Sequence, residues 1–226
     1  MKRPVIDRVE RPHRHLATVK PKRRWPTGGS LAVCGLLAGA ILALGLAPLA
    51  MPDSYSWIEL GTSESAAQGI DGAWVARTGF ILFGLAVICL VQLRATSWQP
   101  LASLLHLIFG VSMFAVAAFS TKSWEDGAEY VASEDTLHSL FASVMGFSFV
   151  AALATLIFLR RHRSVTAAIP DWAAFLVTLT VPLAMDTNIW GVLQRLMFLT
   201  AGLWYGQEAW LTVNAPSSSS EPAGAD

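Results

Sequence analysis

The chain has 226 residues, 54% of them hydrophobic and 14% charged, with a mean hydropathy of +0.48. An ordinary soluble domain carries about a quarter charged residues, so this composition excludes that class and is a membrane protein's. Sixteen bases offset sixteen acids, but the zero net charge hides a separation of the two signs along the chain.

The first 28 residues hold nine Lys and Arg and lead straight into an apolar run. This tail is read as a disordered, lipid-attracted cytoplasmic segment and not as a nucleic-acid-binding one. Arg23-Arg24-Trp25 resembles the start of a twin-arginine export signal, but no small-x-small cleavage site follows and Pro48 stands where a small residue is wanted. Helix one is therefore expected to stay attached.

A helix needs roughly 20 apolar residues to cross a bilayer core. Six stretches meet that need within a transmembrane domain over 29–212. They are 29–51, 73–93, 101–119, 136–159, about 170–185, and 189–211. The first four contain no Asp, Glu or Lys. The fifth has Pro170 and Asp171 in its expected first turn and Pro182 near its end, and Asp186-Thr187-Asn188 turns the chain into the sixth. On helix one, Gly35, Gly39, Ala43 and Gly45 form a small-residue face expected to meet another helix. Tryptophans, among them Trp57, Trp74, Trp98, Trp172 and Trp210, cluster near span ends, as amphipathic rings do at headgroup level. Residues 213–226, with four consecutive serines, are expected to be a disordered cytoplasmic tail.

Orientation follows from the bases. Arg94, Arg160, Arg161 and Arg163 lie on the side of the N-terminal tail. Loops 52–72 and 120–135 hold Lys122 alone against Asp53, Glu59, Glu64, Asp71, Glu125, Asp126, Glu129, Glu134 and Asp135. Lys and Arg accumulate on cytoplasmic segments, so both termini are expected in the cytoplasm. Cys34 and Cys89 then fall near the reducing side, and no disulfide is expected.

Gln194 and Arg195 interrupt the sixth apolar run, about 10 Å from its outer end by helical rise. A bare charge there costs a few to more than ten kcal/mol unless it reaches water, a headgroup or a counter-ion. Side chains lean toward the helix N-terminus, which points Arg195 outward. Arg77 and His138 stand near the tops of the second and fourth helices, which also descend from the outer face. Three bases near positive helix ends need negative compensation. One source is the loop acids Glu59, Asp71, Asp126, Asp135 and Asp186; in this reading Arg77 and Arg195 are latches. The other is an anionic ligand in a pocket among helices two, four and six, gripped by Arg195 and Arg77 with Gln194 and Glu59 beside them. Asp135 or Thr136 is expected to cap the fourth helix.

The chain lacks a phosphate-cradling glycine loop, paired cysteines, a helical His-Glu-x-x-His and a Gly-x-Ser-x-Gly elbow. Neither a cofactor nor a metal is expected; His138, Asp126 and Glu129 make only a weak zinc set. His106 lies too deep to join His138 and is expected to bond a neighbouring helix, while Glu208 is read as interfacial.

Tyr55-Ser56, Glu59-Leu60-Gly61, Gly79-Phe80 with Gly84, the segment ending near Phe119, Leu137-His138 and Gln194-Arg195 follow one another in a telling order. In it the chain resembles the domain-of-unknown-function family numbered 998, six-helix membrane proteins of bacteria and archaea, over roughly 30–211. It departs from that pattern with Arg77-Thr78 ahead of the Gly-Phe pair and with a long acidic insertion before His138. The resemblance implies an integral membrane protein of the cell membrane and names no reaction.

The expectation is an all-α, multi-pass bundle that binds an anionic lipid or small solute near its outer face without being an enzyme. Two alternatives stand beside it: a lipid hydrolase or transferase using His138 as base with Asp126, and an accessory subunit whose acidic outer loops meet a protein partner.

Overall fold

The computed structural model describes residues 28–211. The expected tails, 1–28 and 213–226, lie outside the described residues save for Gly28, and among the described residues no strand occurs. Six long helices follow one another: α1 Gly28–Leu46, α2 Ala73–Leu93, α3 Pro100–Ala118, α4 Ala132–Leu159, α5 Val165–Thr180 and α6 Trp190–Leu211. Each packs beside the next, and α6 returns to α1, so the helices form a ring, with α2 also reaching α6. One end of the bundle carries the acidic connections after α1 and α3. The other carries the arginines after α2 and α4.

Local chemistry sets the boundaries. α1 gives way to the 3-10 turn Ala47–Ala50, where Pro48 cannot donate a helical bond. Gly72 begins α2 from the left-handed region (φ 83°), and a Cβ there would strike the carbonyl of Ala50. Pro100 opens α3 at the position where its missing N–H costs nothing.

Two starts differ from expectation. α4 begins at Ala132, ahead of 136, with no side-chain cap; Asp135 sits inside its first turn. At 28 residues it spans about 42 Å, more than a hydrocarbon core of about 30 Å, so its acidic first turn can stand in water. α5 begins at Val165, which places Pro170 inside the helix; its α-helical part ends before the 3-10 turn Val181–Ala184 that contains Pro182. The turn to α6 separates the last two helices as expected.

The core is an aromatic column. Phe83 of α2, Phe109 of α3, Phe149 of α4 and Tyr205 of α6 are all nearly or fully buried, with ring centres 5.2–6.0 Å apart around the set. α2 and α3 approach closely, and a Cβ on Gly84 would come within 2.7 Å of the Gly110 carbonyl oxygen. The small-residue face of α1 does less than expected. Gly39 faces Leu82 of α2, whereas Gly35 and Gly45 are exposed and meet nothing. Around the flank, Leu42, Leu104, Leu140, Phe147 and Leu203 are exposed, as suits a surface solvated by lipid tails. Cys34 and Cys89 are free and half-buried.

Five of the six helices are long and apolar enough to cross a membrane. α6 is also long, at 22 residues, but Gln194, Arg195, Gln207 and Glu208 lower its hydropathy.

Candidate functional site

At the acidic end, the segment after α1 folds over the first turns of α6. The first amides of a helix have no intrahelical acceptor, and here Val192 N–H donates to the carbonyl of Ile58 at 3.3 Å. The approach requires Gly191: a Cβ there would collide with the carbonyls of Trp57 and Leu60. Arg195 completes the contact. Its Nη1 donates to the carbonyls of Trp57 and Leu60 at 3.0 Å and of Gly191 at 2.9 Å, and Nη2 to the Tyr55 hydroxyl at 2.6 Å. That hydroxyl donates on to the carbonyl of Gly61 at 2.7 Å. Burial holds the Tyr55 phenol above its usual pKa, against the pull of the Arg195 charge. Gln194 Oε1 accepts from the Thr62 amide at 2.5 Å and its hydroxyl at 2.7 Å.

Arg77 makes a second latch farther along the same segment, donating from Nε to the carbonyl of Ala66 at 3.2 Å and from Nη2 to that of Ala67 at 3.0 Å. Among the described residues neither Arg77 nor Arg195 forms an ion pair with a carboxylate. The expected pairing with loop acids is therefore corrected: lone pairs of the backbone take the place of carboxylates. Glu59 is exposed, and Asp135 instead accepts from the Thr121 hydroxyl and the Lys122 amide at 2.9 and 2.8 Å.

His138 is buried, with Nδ1 2.9 Å from the carbonyl of Phe119 and no partner on Nε2. Its orienting group is that carbonyl, not Asp126, which is exposed. Three metal-ligating side chains do not converge anywhere among the described residues, so His138, Asp126 and Glu129 do not form a centre.

The cavity beside Arg195 lies between α1 and α6, not among α2, α4 and α6. It has a volume of about 240 Å³ and is walled by Ile41, Leu44, Gly45, Leu196, Phe198 and Leu199, with Trp57, Thr62 and Arg195 at its loop end. Neither Arg77, His138 nor Glu59 lines it. Trp57, Leu196 and Leu199 are exposed, so the groove opens on the flank of the bundle.

The basic end holds a buried ionic cluster that the sequence reading missed. Arg94 caps the C-terminus of α2 and Arg160 that of α4, where the helix dipole favours a cation. Between them lies Glu208 of α6, fully buried and not, as expected, in reach of water. Its Oε1 accepts from Arg160 Nη1 at 2.8 Å; its Oε2 accepts from Arg160 Nη2 at 3.0 Å, from Arg94 Nε at 3.1 Å and Nη2, and from the Trp98 indole at 3.2 Å. Asp171 accepts from the Trp204 indole at 2.8 Å and lies 3.3 Å from Arg160 Nη1. Burial works against the Arg160 charge, but Glu208 and Asp171 hold its pKa above the usual value. Trp98 and Trp204 flank the buried His106, whose Nδ1 lies 2.9 Å from the Tyr205 hydroxyl on α6. Equal depth was the available signal: Glu208 sits one turn from the end of its helix, level with arginines that end two others.

Apolar helices fit to span a bilayer, a lipid-compatible flank and charge gathered at the two ends define a multi-pass helical membrane protein. The chain belongs to the family described as a protein of unknown function, DUF998, whose model matches residues 33–211. No curated protein matches the chain, and neither does any solved structure.

Proposed function

We propose that all six helices cross the membrane with both termini and the arginine end in the cytoplasm, and that the protein binds an anionic lipid in the groove between α1 and α6 on the opposite face. The observation that carries this reading is a guanidinium without a carboxylate partner on the wall of an otherwise apolar groove. Its Nη groups donate to three carbonyls and the Tyr55 hydroxyl, which are dipoles, so a full positive charge remains for an anion to neutralise. Only Arg195 Nε lacks an acceptor. The groove would take part of an acyl chain against Leu44, Leu196 and Leu199, and Trp57 would sit at headgroup level. This is a binding role, and no step of bond cleavage is assigned to it.

Native mass spectrometry of the detergent-extracted protein tests the reading. Wild type is expected to retain an anionic lipid that Arg195→Gln loses. Because Arg195 also holds the loop, Gly45→Leu is the cleaner variant: its side chain enters the groove from a position where a Cβ meets nothing. Equal lipid retention by wild type and Gly45→Leu would overturn the proposal.

A further inference from the structure

We infer that the cavity between the end of α4 and the start of α5 binds the phosphate headgroup of an anionic phospholipid from the leaflet at the basic end. The cavity measures about 540 Å³, within the range of about 300–1,000 Å³ typical of small-ligand sites, and Arg160, Arg161 and Arg163 all line it.

Charge decides what it attracts. Arg160 and Arg94 are matched by Glu208 and Asp171, so the buried cluster is neutral as a set. Asp171, which also lines the cavity, is engaged by Arg160 and the Trp204 indole. Arg161 and Arg163 are the surplus. Both are exposed, and neither forms an ion pair among the described residues. Arg161 is positioned by its own helix end, donating to the Phe158 carbonyl at 3.1 Å with its guanidinium 4.8 Å from the Phe158 ring centre. Basic pockets between membrane helices suit anionic headgroups for this reason.

The apolar walls decide between a lipid and a free anion. Val165, Ile169 and Trp172 line the cavity and are themselves exposed, at 82%, 57% and 47%. They continue from the arginines onto the flank of α5, the path an acyl chain takes from its headgroup. A soluble phosphate makes no use of that surface. The inference is independent of the groove at Arg195, which lies at the other end of the bundle.

The test uses the full chain, purified lipid-free in detergent and offered phosphatidylglycerol, phosphatidylcholine or inorganic phosphate. Phosphatidylglycerol is expected to bind and raise the Tm, and the other two are not. Each basic residue near a membrane surface contributes about 1 kcal/mol to anionic-lipid attraction, so Arg161→Gln with Arg163→Gln should weaken phosphatidylglycerol binding about thirtyfold. The corresponding Lys pair should stay close to wild type. Ala168→Phe, which fills the cavity and leaves every charge in place, should also lose the lipid. The inference is overturned if the Gln pair or Ala168→Phe binds as wild type does, if phosphatidylcholine binds equally, or if inorganic phosphate alone reproduces the Tm shift. Gly45→Leu closes the groove at Arg195 and leaves this site intact, so every chain in this comparison, the reference included, carries it, and failure here and failure at Arg195 read out separately.

Discussion

Arg195 and Glu208 lie on one helix and solve the same problem in different ways. Arg195 is met by carbonyl and hydroxyl dipoles and by no carboxylate, and it keeps its net charge. Glu208 is fully buried and is satisfied by two guanidinia and an indole. Removing one partner from a buried pair costs more than the pair contributed, because the survivors keep their desolvation penalty. Glu208→Gln is therefore expected to destabilise the protein by about 3–5 kcal/mol, seen as a large fall in Tm in detergent. A change near zero would show that the two arginines find other partners. The lean of Arg195 toward the N-terminus of α6 was legible, since Cβ geometry directs it and its Nη1 bonds the carbonyl four residues back. Its partners were not legible, because every residue offers a carbonyl and only folding selects Trp57 and Leu60.

At the scale of elements, one glycine decides how the loop meets α6. Gly191 admits the carbonyls of Trp57, Ile58 and Leu60 to the helix surface. Gly191→Ala should push the loop away at a cost of about 1–3 kcal/mol, the usual range for overpacking. Hydrogen exchange checks this: the amides of Val192 and Thr62 should exchange faster, and those of α3 should not change. Helix existence was readable from apolar length, but two starts were misplaced for a common reason. Pro170 looked like a first-turn residue, yet a proline within the first turns removes few helical bonds, and α5 continues back to Val165. The charged run Glu134-Asp135 looked like loop, yet a helix longer than the bilayer can carry acids in its projecting turn.

For the whole molecule, the separation of acids from arginines yields a topology prediction. In a background without Cys34 and Cys89, a cysteine at Ser133 should react with a membrane-impermeant thiol reagent in intact cells. One at His162 should react only after lysis. Labelling of both from the same side would break the six-span arrangement, and the reverse pattern would invert the proposed orientation.

The sequence by itself determined the class: apolar lengths near the bilayer thickness, few charges, and acids and bases collected in alternate connections leave a multi-pass helical bundle as the solution that satisfies every backbone group in lipid. It also marked Gln194 and Arg195 as residues needing an explanation. Only the tertiary structure decided what explains them, and that Glu208, Asp171, Arg94 and Arg160 form one cluster. Periodicity and composition act within a segment, whereas compensation of a charge depends on which segments the ring of helices brings to the same depth.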